Sequence, residues 1–98
     1  SEQRLLRRKR QKRELCRLER CEDIAQALLT ELMTLRNMEQ LGCLNEENRQ
    51  ALKALGAQVS DSCPVDENRV EHTVVNYHIA RVLRLRQELK DKLAERRK

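Results

Sequence analysis

The residues best suited to metal or thiol chemistry are four cysteines, Cys16, Cys21, Cys43 and Cys63, and two histidines, His72 and His78. Two disulfides are arithmetically possible, but the reading that fits an intracellular protein is four reduced, partly buried small hydrophobes. Cys16 and Cys21 stand five residues apart, roughly 140° around a helix, and cannot readily share a metal. There is no Cys-x-x-Cys pair, and the histidines are six apart on different helix faces. Nor is there a glycine-rich phosphate loop or a nucleophile with a base at fixed spacing. The expectation is no metal site, no cofactor and no enzyme. Ser60 and Ser62 are the candidates for phosphorylation.

The sharpest local signal is charge. Arg7, Arg8, Lys9, Arg10, Lys12 and Arg13 form a basic patch, and residues 1–20 hold nine cations against Glu2, Glu14 and Glu19. Three readings compete for this patch: a solvated helical extension, a nuclear-localisation signal through Lys9-Arg10-Gln11-Lys12, or a contact with phosphates or an acidic protein surface. A basic tract ahead of a heptad seam has the order of a leucine-zipper transcription factor. The tract lacks the asparagine and paired alanines of that DNA-reading helix, and Gly42 ends the seam early, so that assignment is set aside. Stacking on single-stranded nucleic acid needs aromatic platforms, and Tyr77 is the sole aromatic. A second basic cluster, Arg81, Arg84, Arg86, Lys90, Lys92, Arg96, Arg97 and Lys98, is interleaved with Glu88, Asp91 and Glu95, as on a solvated helix face.

These residues must be positioned by helices. Charged residues make up 38% of the chain against 39% hydrophobic, with Gly 2, Pro 1 and a net charge of +5. Good helix formers dominate, and turn punctuation is scarce. No apolar run approaches the ~18 residues needed to cross a membrane, and no signal-peptide core is evident. The chain reads as an all-α segment of a longer intracellular protein, nuclear or cytoplasmic with the nucleus favoured.

The organising stretch is Leu15 to Leu41. Leu18, Cys21, Ala25, Leu28, Leu32 and Leu35 recur at steps of three, four, three, four and three, the seam of a heptad. Ile24, Leu29, Met33 and Met38 widen it. Gly42 suits the left-handed position that closes a helix, and Asn45 suits the cap of the next one. The expected elements are a basic extension over 1–14, then a helical domain over 15–98. Within that domain helix 1 runs to about 41, helix 2 covers about 46–55, a linker takes 57–65 and helix 3 covers about 66–96. Asp66 is the cap candidate of helix 3, with Val65 and Val70 as a hydrophobic staple. Its interface stripe is Val75, Ile79, Val82, Leu85, Leu89 and Leu93, with a second stripe of Val70, Val74, Tyr77 and Ala80.

Long helix, short helix, long helix makes either a coiled-coil-like bundle or a hairpin. Charge favours the up-down-up bundle, because an antiparallel pairing of the long helices would bring two basic tips together. Helix 1 offers more apolar edge than one short helix and half of helix 3 can cover, so self-association as a dimer is expected. The function that follows is a helical protein-interaction module, a scaffold, adaptor or oligomerisation segment binding partner helices. The alternative is a basic module for nucleic acid or chromatin. No membrane partner is expected.

Overall fold

A computed structural model describes residues 1–59, 65 and 72–95. Three helices account for most of them: α1 (Glu2–Gln40), α2 (Glu46–Ala54) and α3 (His72–Ala94), with no strand among the described residues. The cap proposed at Asp66, the staple of Val65 with Val70, the serines at 60 and 62, and Cys63 lie outside the described residues or depend on residues that do.

Local sequence sets the helix ends. Ser1 Oγ accepts from the Arg4 amide at the start of α1. At its end Gly42 takes φ 74°, the Cys43 amide donates to the Met38 carbonyl and the Gly42 amide to the Glu39 carbonyl. This paired closure satisfies carbonyls that the last helical turn leaves free, and it requires a residue without a Cβ penalty at positive φ. α2 closes the same way, with Gly56 at φ 92° and amides of Gly56 and Ala57 donating to Lys53 and Leu52. At the start of α2, Asn45 Oδ1 accepts from the Asn48 amide at 2.7 Å and Asn48 Oδ1 accepts from the Asn45 amide at 3.1 Å. Two free helical amides are thereby satisfied reciprocally.

α1 and α3 are antiparallel. Arg17 reaches the Lys92 carbonyl, Arg20 pairs with Glu88, and Glu31 meets His78 and Arg81, so numbers fall along α3 as they rise along α1. The up-down-up arrangement favoured by charge is therefore not the one adopted. Exposed ion pairs contribute only about 0–1 kcal/mol each, whereas fully burying one Val or Leu side chain contributes about 1.5–3 kcal/mol. The antiparallel turn buries Leu35, Cys43, Leu44, Leu52, Val59, Val75, Ile79 and Val82 in one cluster, with Leu28, Met38, Ala51 and Leu55 against it. Among the described residues Lys92 and Glu95 of α3 come beside the basic end of α1, and Glu88 pairs across the helices with Arg20.

The molecule is long and thin, 67 × 19 × 18 Å. At a rise of 1.5 Å per residue, α1 is about 59 Å long and α3 about 35 Å. Every residue from Ser1 to Arg13 is exposed, so the first third of α1 stands as an arm.

Candidate interaction surfaces

The side of α1 that faces α3 is made by Arg17, Cys21, Ile24, Leu28, Glu31, Leu35 and Met38, all buried or half-buried. Their steps are four, three, four, three, four and three, a heptad in a different phase from the apolar one. Cys21, Leu28 and Leu35 belong to both phases. Leu18, Ala25 and Leu32 give way to Arg17, Ile24 and Glu31, and remain exposed. On α3, Val75, Ile79, Val82 and Leu85 are buried and Leu89 half-buried, while Leu93 is 51% exposed. Val74, Tyr77 and Ala80 of the second stripe are exposed; Val70 lies outside the described residues.

Two charged residues thus occupy seam positions, and each is satisfied. Arg17 donates from Nε and its terminal nitrogen to the Glu14 carboxylate at 3.1 and 2.5 Å, and to the Lys92 carbonyl at 3.4 Å. The Glu14 hydrogen bonds raise its affinity for the proton above the ordinary arginine value. The Glu31 carboxylate, with its side chain 12% exposed, accepts from Arg81 Nε at 2.9 Å and lies 2.5 Å from His78 Nδ1. Burial by itself would raise the Glu31 pKa; hydrogen bonds from His78 and Arg81 outweigh it and hold the carboxyl below its usual range. The same Glu31 bond raises Arg81. A third buried polar group, Asn48, is wholly enclosed and donates from Nδ2 to Asn76 Oδ1 at 2.5 Å, tying the start of α2 to α3. None of these three was visible in an apolar count. The available signal was Ile24: placing that large β-branched residue on the seam selects the other phase and brings Arg17 and Glu31 with it.

The phase shift leaves an apolar face without a partner within the described residues. Leu15, Leu18, Ala25, Leu29 and Leu32 are all exposed, at positions that continue the heptad through Glu22. Leu15 and Leu29 reach 61% and 59%. At the capped end this face opens into a groove of about 500 Å³ walled by Leu29, Leu32, Met33, Arg36, Leu52 and Val59.

The basic patch is on another surface. Arg7, Arg8, Lys9, Arg10, Lys12 and Arg13 are exposed on the arm. Where the arm meets the end of α3, Lys9, Lys12, Arg13, Cys16, Arg17 and Arg20 face Lys92 and Glu95 around a hollow of about 450 Å³. Arg17, Arg20 and Lys92 are ion-paired with Glu14, Glu88 and Glu95.

The remaining chemical candidates stay apart. Cys16 is exposed, Cys21 and Cys43 are buried, and all three are free thiols. Among the described residues no three His, Cys, Asp or Glu side chains converge as a metal site. No described helix is long and apolar enough to cross a membrane. Compared with known proteins, the chain matches no protein-family model, no curated protein and no solved structure.

Proposed function

We propose that this chain is a helical protein-interaction module, a scaffold or adaptor segment without enzymatic activity, whose binding surface is the outer face of α1. The observation that carries the reading is the exposed heptad stripe of Leu15, Leu18, Ala25, Leu29 and Leu32, which the hairpin leaves uncovered. Residues at this spacing keep one helix edge facing a second helix over several turns. The stripe is also self-complementary in kind, with small Ala25 near its middle and leucines to either side. Two copies laid face to face would insert each leucine between those of the other. The occupant we assign is therefore a second copy of this chain, making the module a dimer that presents its basic arms to further partners. An intracellular setting accords with the free thiols, and Lys9-Arg10-Gln11-Lys12 favours the nucleus.

Sedimentation equilibrium across a micromolar dilution series tests the assignment. The wild-type chain should weigh two copies, and Leu29→Glu should weigh one while keeping its helicity and the melting temperature of the dilute wild-type chain. A wild-type mass of one copy throughout would overturn dimerisation through this face.

A further inference from the structure

Beyond the apolar face, and independently of it, the arm carries a second surface. Arg4, Arg7, Arg8, Lys9, Arg10, Lys12 and Arg13 put seven cations on residues 2–13, against Glu2 alone. At roughly 100° per residue they surround the helix, with no gap wider than about 60°. None of these seven side chains has an ion-pair partner among the described residues. Just beyond them the pattern changes: Arg17, Arg20 and Lys92 are each paired with a carboxylate. Of these pairs Arg20–Glu88 joins α1 to α3, and the other two lie within one helix.

Such an arm works against its own helix. Like charges recur at i,i+3 and i,i+4 (Arg4 with Arg7 and Arg8, Lys9 with Lys12 and Arg13, Arg10 with Arg13), spacings at which repulsion destabilises a helix. Cations in the first turns also oppose the helix dipole. No side chain of the arm is buried to compensate. A polyanion removes both penalties at once.

The distribution of charge identifies which polyanion. A flat acidic protein surface meets one side of a helix and leaves the remaining cations in solvent. Cations on every side call for anions on two walls. A helix is about 10–12 Å across with its side chains, and the major groove of duplex DNA is about 12 Å wide between two rows of phosphates. Single strands held by stacking need aromatic platforms, and the arm has none. Arginine and lysine can also reach guanine edges, but cations spread over every side of the helix face the phosphates of both walls, and phosphate contacts carry no sequence information. At the root of the arm the antiparallel fold sets Lys92, with its ion-pair partner Glu95, across a hollow from Lys9, Lys12 and Arg13.

We infer that the arm and the hollow at its root form a sequence-independent site for the phosphate backbone of duplex DNA. The test uses the full chain and two fluorescent duplexes of unrelated sequence, each about two turns (~20 base pairs) long. Anisotropy titrations between about 50 and 200 mM salt should give the same affinity for both. The logarithm of that affinity should fall against log salt with a slope of about −4 to −6, some 0.9 per neutralised phosphate. Circular dichroism should show helicity rising as duplex is added. Arg8→Glu with Arg10→Glu should weaken binding at least tenfold and flatten the slope, with the melting temperature of the hairpin unchanged. Lys92→Glu should flatten the slope by about one phosphate contact. Absence of duplex binding at the lowest salt would overturn the inference. So would double-variant binding equal to wild type, or polyglutamate of matched charge binding as tightly as the duplex.

Discussion

At its C-terminal end α1 lies against α3 and is sealed by α2, so that Leu35, Leu44, Leu52, Val75 and Val82 are at most 3% exposed. Over residues 1–13 the same helix has no buried or half-buried side chain. The sealed end is held by packing, and the polar side chains that join its helices are bonded: Asn48 to Asn45 and Asn76, Glu31 to His78 and Arg81. The arm is held by helix propensity and the Ser1 cap, against its own charge. One continuous helix therefore combines a part whose conformation is fixed by burial with a part whose conformation a ligand can still stabilise. Between them lies the outer apolar stripe, attached to rigid structure and open to a partner.

The contrast is most easily broken at the sealed end. Leu44→Ala should cost about 2–5 kcal/mol, and Leu44→Asp more, because it encloses an unpaired charge. Thermal melts should show the Asp variant unfolded, while Leu6→Asp on the arm should stay within about 0.5 kcal/mol of wild type. Equal losses at the two positions would mean that the arm is packed as tightly as the core. Asn48→Ala comes next. It removes the Asn48 Oδ1 half of the reciprocal cap of α2 and the bond to Asn76, leaves the residue-48 amide on Asn45 Oδ1, and should cost about 1–3 kcal/mol in urea unfolding.

Leu28 and Leu32 sharpen the comparison between the inner and outer faces of α1. Leu28 packs against the core cluster, while Leu32 is 41% exposed on the outer stripe. Leu28→Ala should lower the melting temperature of a chain at any concentration. Leu32→Ala should leave the melt of dilute chain nearly unchanged and weaken the association seen by sedimentation. A reversed pattern would exchange the two faces.

The smallest effect expected is a pH dependence. Glu31 is held below its usual carboxylate range in the folded chain, so it binds a proton more weakly there than in the unfolded chain. Its contribution is full above the ordinary carboxylate range and is lost as pH falls through the depressed folded value. Acid unfolding followed by circular dichroism should show that loss, and Glu31→Gln should flatten the curve in that window. Glu46, lowered by hydrogen bonds from Gln50 and Arg49, adds a surface contribution in the same direction that Glu31→Gln leaves intact.

Helix identity and helix ends were legible in the sequence because they depend on neighbours within about one turn. Gly42 and Gly56 close α1 and α2 at positive φ, and Asn45 caps α2, as their residue types alone suggest. The basic arm, too, could be read directly, since charge needs no tertiary context to be counted. The direction of α3 and the phase of the α1 seam could not. Two heptads overlap on α1 and share Cys21, Leu28 and Leu35. Counting apolar residues selects the one through Leu18, Ala25 and Leu32. The fold selects the one through Arg17, Ile24 and Glu31, because Glu14, His78 and Arg81 satisfy the charges that this phase encloses. Those partners are supplied partly by α3, 47 and 50 residues from Glu31. A polar side chain can enter a seam only when its hydrogen bonds are met there, and long-range partners of that kind are fixed by the tertiary structure.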